Sequence, residues 1–134
     1  MTEYDKELFE KLKDLVDNKI IKIHESNEFV FKILESNYPM GFSGIEWNEN
    51  YYIENLINTK IDSIFNILSN NKLKNNEKVY VFGDGLTDFC YEMKFETFKD
   101  YSFLFLEIPQ NFFLYFKDTQ KCLNITFANE IFFG

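Results

Sequence analysis

Lys78-Val79-Tyr80-Val81-Phe82-Gly83-Asp84-Gly85-Leu86-Thr87-Asp88-Phe89-Cys90-Tyr91-Glu92-Met93-Lys94-Phe95 is the stretch whose pattern sets the fold class. Phe89, Tyr91, Met93 and Phe95 alternate with Cys90, Glu92 and Lys94. A period of two places one set on each face of a strand, because successive side chains point to opposite sides. Lys78–Phe82 is β-branched and aromatic and reads as its partner strand. Between them, Gly83-Asp84-Gly85 predicts a hairpin turn in which the glycines supply positive φ and Asp84 makes an Asx-type bond.

Toward the C-terminus, Ser102–Ile108 is a further apolar run that stops at Pro109. Phe112–Phe116 and Cys122–Phe127 flank a polar hairpin loop, Lys117–Lys121, and Ile131–Phe133 reads as a short last strand. Toward the N-terminus the period becomes helical. Leu8, Leu12, Leu15, Val16, Ile20 and Ile23 form one stripe over 2–24, with Thr2 and Asp5 as a capping pair. A shorter helix starts at Ser26 and ends before Pro39, since the residue preceding a proline avoids helical angles. Asn48 then caps a long helix carrying Ile53, Leu56, Ile57, Ile61, Ile64, Phe65 and Leu68, closed by Asn70 and Asn71. Helices first and strands after, with connectors too short for parallel crossovers, predict an α+β fold in one domain, 1–134. The helical part, 2–70, is expected on one face of an antiparallel sheet of five or six strands spanning 77–133.

Composition narrows the function. The chain carries 22 acidic residues against 14 basic ones, a net charge of −8, and every basic residue is lysine. Arginine is the usual bidentate ligand for phosphate and for guanine edges. Its absence and the negative field argue against a nucleic-acid partner or a phosphate-handling enzyme and favour a basic protein partner. AT-rich codon usage also raises Lys, Asn, Ile, Phe and Tyr together, with the same electrostatic consequence. Cys90 and Cys122 lack metal spacing. The N-terminus lacks a signal-peptide pattern, and no run of about 18 apolar residues suggests a membrane span. The expectation is a cytoplasmic chain with reduced thiols, no membrane association and no cofactor.

Candidate chemistry is sparse. Gly-Asp-Gly-x-x-Asp after an apolar strand resembles the last acidic motif of the haloacid-dehalogenase phosphatases, where aspartates hold magnesium. The nucleophilic Asp-x-Asp of that family occurs nowhere in the chain. His24, the only histidine, falls at the end of a predicted helix, where it would offset the negative helix terminus. Acidic neighbours make Cys90 a poor nucleophile. No catalytic and no metal-ligating residue is assigned. Phe112, Phe113, Tyr115 and Phe116 cannot share one sheet face, and surplus rings beside carboxylates suit an interface. Glu46, Trp47, Glu49, Tyr51, Asp84, Asp88 and Glu92 are therefore the expected partner-binding residues.

Several of these pieces together resemble the immunity proteins that bacteria encode beside contact-dependent growth-inhibition and related polymorphic toxins. They are the glycine-containing loop Gly41–Trp47 before Asn48, and the strand ending in Gly83-Asp84-Gly85-Leu86-Thr87-Asp88. Phe112–Phe116 after Ile108-Pro109-Gln110 follows, then Cys122-Leu123 and Glu130–Gly134. The resemblance spans 41–134 and implies a small, non-enzymatic cytosolic binder that blocks a cognate toxin, often a nuclease. It transfers no catalytic or metal residue. The alternatives are a small magnesium-dependent phosphatase-like enzyme centred on Asp84 and Asp88, or a generic acidic interaction module.

Overall fold

The strand pair read from Lys78 onward is part of the main sheet in the computed structural model, which describes residues 1–42, 44–48, 52, 54–56 and 61–134. In chain order the elements are α1 (Glu3–Asp17), β1 (Lys22–His24), α2 (Glu28–Asn37), β2 (Met40–Gly41), β3 (Gly44–Ile45), β4 (Glu54–Leu56) and α3 (Ile61–Asn70). They continue with β5 (Lys78–Gly83), β6 (Cys90–Lys94), α4 (Phe95–Leu106), β7 (Phe112–Phe116), β8 (Lys121–Ile125) and β9 (Ile131–Phe133). β5 pairs with β6 on one side, Val81 opposite Tyr91, and with β7 on the other, Val81 opposite Leu114. Among the described residues the sheet has seven strands in the order β1-β6-β5-β7-β8-β9-β4, each neighbouring pair antiparallel. β2 and β3 form a separate two-stranded hairpin.

The expected α+β class with a C-terminal antiparallel sheet is present, and five of the strands come from the segment after Glu77. Two more come from the predicted helical half. The first helix stops at Asp17, and Lys19 takes a left-handed φ of 61° just past its end. Lys22–His24 then pairs with β6 as an edge strand, and Ile21 is 1% exposed. The long helix expected from Asn48 survives only as α3; Glu54–Leu56 instead pairs with β9. Ile53 and Ile57 lie outside the described residues.

Ser102–Ile108 is not a strand. Phe95, Phe98, Ser102 and Phe105 are buried at positions three or four apart, a helical stripe that continues directly from β6. The Phe95 and Glu96 amides donate to the Glu77 and Asn75 carbonyls, so the helix start is tied to the connector before β5. Because β6 and β7 both run antiparallel to β5, they are parallel to each other, and α4 is the crossover between them.

Helices cover both faces of the sheet, in contrast to the single covered face expected. Leu8 and Leu12 of α1, Ile64 and Leu68 of α3, and Phe98 and Phe105 of α4 pack on Val79, Val81, Tyr91, Leu114, Phe116 and Leu123. On the opposite face, Val30 and Leu34 of α2 cover Tyr80, Phe82, Cys90, Phe113, Tyr115 and Cys122. β7 is consequently buried along its whole length. Phe112 and Phe116 enter one layer, Phe113 and Tyr115 the other, so none of the four is a surplus surface ring. Fully burying such a side chain contributes about 1.5–3 kcal/mol.

Candidate functional site

The β5–β6 connection is held by side chains from three distant segments. Neither Gly83 nor Gly85 has a positive φ; among the described glycines only Gly44, at 117°, does. The requirement at Gly83 is space, because a Cβ there would overlap the Gln110 amide. Gln110 Oε1 accepts from the Leu86 amide at 2.8 Å and the Gly85 amide at 3.3 Å, while its Nε2 donates to Thr87 Oγ1 at 3.0 Å. Asp5 is wholly buried and does more than cap α1. Its carboxylate accepts from the Asp88 amide at 2.7 Å, the Tyr91 hydroxyl at 2.8 Å and the Thr2 hydroxyl at 2.9 Å. Asn27, before α2, donates to the Gly83 carbonyl at 2.9 Å. The loop is thus a rigid platform, with its exposed side chains fixed from beneath.

Asp84 and Asp88 are both exposed on this platform. Asp84 Oδ2 accepts from Asn111 Nδ2 at 2.6 Å, and Asn111 Oδ1 accepts from the Phe127 amide at 2.5 Å. That chain sets the Phe127 ring, 72% exposed, near the acidic turn. Ile108, Pro109, Phe112, Ile125 and Phe127 line a 290 Å³ concavity there. Thr2 reaches the Leu86 carbonyl at 2.7 Å and Asn27 the Gly83 carbonyl, so the chain next to exposed Glu3 and Glu28 touches the same loop. The β2–β3 hairpin leans over this end of the sheet as well. Gly44 lies against the Phe113 ring, and Phe113 is paired with Phe82, next to the turn. Phe42 at the hairpin tip is fully exposed, and the Glu46 side chain packs against Gly41 beside it.

The expected binding residues therefore divide. Asp84, Asp88 and Glu46 are exposed toward one end of the molecule. Trp47 is half-buried; its ring stacks on Phe132 at 5.6 Å and its Nε1 donates to Asn124 Oδ1 at 3.0 Å. Glu92 points from mid-β6 into a polar cluster, 2.9 Å from His24 Nε2 and 3.5 Å from Lys117 Nζ. Burial raises the Glu92 carboxyl, but the hydrogen bond to His24 and the charges of Lys117 and His24 outweigh it and hold its pKa below the usual value. His24 is on β1, not at a helix end. Glu49 and Tyr51 lie outside the described residues.

Phe127, Asn111, Gln110 and Asp5 were not singled out as site residues from the sequence. The only local hint is the polar pair Gln110-Asn111 wedged between Pro109 and an aromatic strand. Both cysteines are buried, and burial pushes their thiols well above the ordinary range, with Glu92 adding to the effect at Cys90. They sit three strand spacings apart, about 14 Å, too far for a disulfide. Among the described residues, no group of three or more His, Cys, Asp or Glu side chains is placed to hold a metal ion, and no helix is long and apolar enough to cross a membrane. The chain matches no protein-family model and no curated protein.

Proposed function

We propose that this chain is a non-enzymatic immunity protein that binds and neutralises a cognate toxin domain with a basic active site, such as a nuclease, in the bacterial cytoplasm. One observation carries the reading: exposed Asp84 and Asp88 sit on a loop platform braced by Asp5 and Gln110, and Asn111 ties Asp84 to the backbone of the exposed Phe127. Carboxylates around an aromatic anchor steer a basic partner during encounter and then exclude water at the contact. A braced loop loses little conformational freedom on binding, which favours affinity. Glu46 and Phe42 on the β2–β3 hairpin extend the surface and Trp47 is packed beneath that hairpin, whereas Glu92 lies apart, engaged by His24 and Lys117.

The test is association with the product of the neighbouring toxin gene, followed by stopped-flow mixing at low and high salt. Asp84→Asn with Asp88→Asn slows association by about tenfold at low salt and by much less at high salt. Phe127→Ala acts mainly on dissociation. An association rate that ignores both charge changes would remove the loop platform from the interface. Failure of the neighbouring product to bind at all would remove the immunity reading.

A further inference from the structure

At the opposite end of β5, five residues and about 17 Å from the Asp84 turn, the charge reverses. Lys19, Lys22, Lys78 and Lys94 line a cleft of 570 Å³ together with Ile20, Glu92, Met93, Glu96 and Thr97. Among the described residues these four lysines make no ion pair, as is true of most lysines in the chain, but here they converge on one cleft. Lys78 and Lys94 stand directly opposite each other in the β5–β6 ladder, a like-charge pairing that opposes folding. Glu92 is already engaged by His24 and Lys117, which leaves Glu96 as the other acidic group on the cleft wall.

We propose that this cleft binds a small organic phosphate. The ammonium groups of Lys22, Lys78 and Lys94 hold the dianion, and the organic body lies against Ile20, which is 47% exposed. Lysine binds phosphate as a point charge and needs no guanidinium fork. The first turn of α4 adds the positive end of its dipole, since Lys94 is its N-cap and Glu96 and Thr97 line the cleft. The volume falls within the range of small-ligand pockets. This site is independent of the toxin-binding surface. Its competing explanation is that the lysines only protect the β1 edge from strand addition.

Isotope-labelled full-length protein titrated with phenyl phosphate, inorganic phosphate, a glutamate hexapeptide and sodium chloride at matched ionic strength separates these cases. Phenyl phosphate produces saturable amide shifts confined to residues around Lys22, Lys78 and Lys94. Inorganic phosphate binds the same place more weakly, and chloride has no localised effect. Lys78→Gln with Lys94→Gln weakens phenyl phosphate binding by at least about tenfold. Its melting temperature stays level or rises, because a like-charge pair has gone, so lost binding is not lost folding. Shifts that match chloride, or an unchanged affinity in the double variant, would leave the lysines as edge protection and overturn the proposal. Tighter binding of the glutamate hexapeptide than of phenyl phosphate would overturn it in favour of an acidic protein segment.

Discussion

Asp5→Ala tests whether a buried carboxylate from the first turn of α1 organises the loop platform. The substitution removes the acceptor of three short hydrogen bonds, from Asp88 N, Tyr91 Oη and Thr2 Oγ1. The Thr2 hydroxyl still reaches the Leu86 carbonyl at 2.7 Å, but the Asp88 amide and Tyr91 hydroxyl are left stranded, and the Phe89 amide loses its longer contact at 3.4 Å. Each stranded donor costs about 1–3 kcal/mol. Relief of the carboxylate's own desolvation offsets part of that, leaving a net loss of about 2–4 kcal/mol. For a domain stable by about 5–15 kcal/mol this is a large share. Urea unfolding followed by Trp47 fluorescence reads it, because the single tryptophan is stacked on Phe132 in the folded state. The midpoint is expected to fall by about 1–2 M with an unchanged slope. A double-mutant cycle with Tyr91→Phe should give a coupling of about 1 kcal/mol or more. A midpoint shift under about 0.3 M, or full additivity with Tyr91→Phe, would refute the assigned role.

Three further outcomes follow from the same structure. Gly83→Ala displaces the Gln110 amide from Leu86 and Thr87 and destabilises by about 1–2 kcal/mol through those lost hydrogen bonds, whereas Gly85→Ala, with open space and no positive φ, is neutral or stabilising in thermal melts; equal losses at both would restore a φ-based role for the pair. Glu92, with a folded pKa below its ordinary 4.5, contributes stability above that value and loses it as pH falls through the folded pKa; wild-type and Glu92→Gln urea midpoints should differ at neutral pH and converge in acid, and a pH-independent gap would count against the ion-pair cluster. Cys90 and Cys122, buried with raised thiol pKa values, should resist a thiol reagent at pH 8 until urea is added; rapid labelling of the folded chain would contradict their burial.

Local patterns carried much of the architecture. Alternation from Phe89 to Met93, the capping pair Thr2–Asp5 and the stop before Pro39 all match the elements found. The departures occur where an element's identity depends on a partner. Ile20 and Ile23 continue a helical stripe in the sequence, yet Ile23 is aligned with Tyr91 because the β6 edge offers backbone hydrogen bonds there. The 95–106 segment is apolar enough to read as a strand, and only the Phe95–Phe98–Ser102–Phe105 spacing marks the helix. The exposure of Asp84 and Asp88 was legible because a polar Gly-Asp-Gly turn follows an apolar strand. The exposure of Phe127 was not, since it depends on where Asn111 arrives.

Composition and periodicity by themselves determined the α+β class, the β5–β6 pairing, the acidic surface and the missing guanidinium groups, because these follow from residue identity and nearest-neighbour geometry. Tertiary structure alone decided that both sheet faces are covered, that β1 and β4 join the sheet, and that Asp5 and Gln110 brace the acidic loop. It also decided that four lysines meet in one cleft. The physical reason is sequence separation: each of these features joins groups far apart along the chain, such as Asp5 and Asp88 or Gln110 and Leu86, and no local pattern encodes which distant donor a buried acceptor will find.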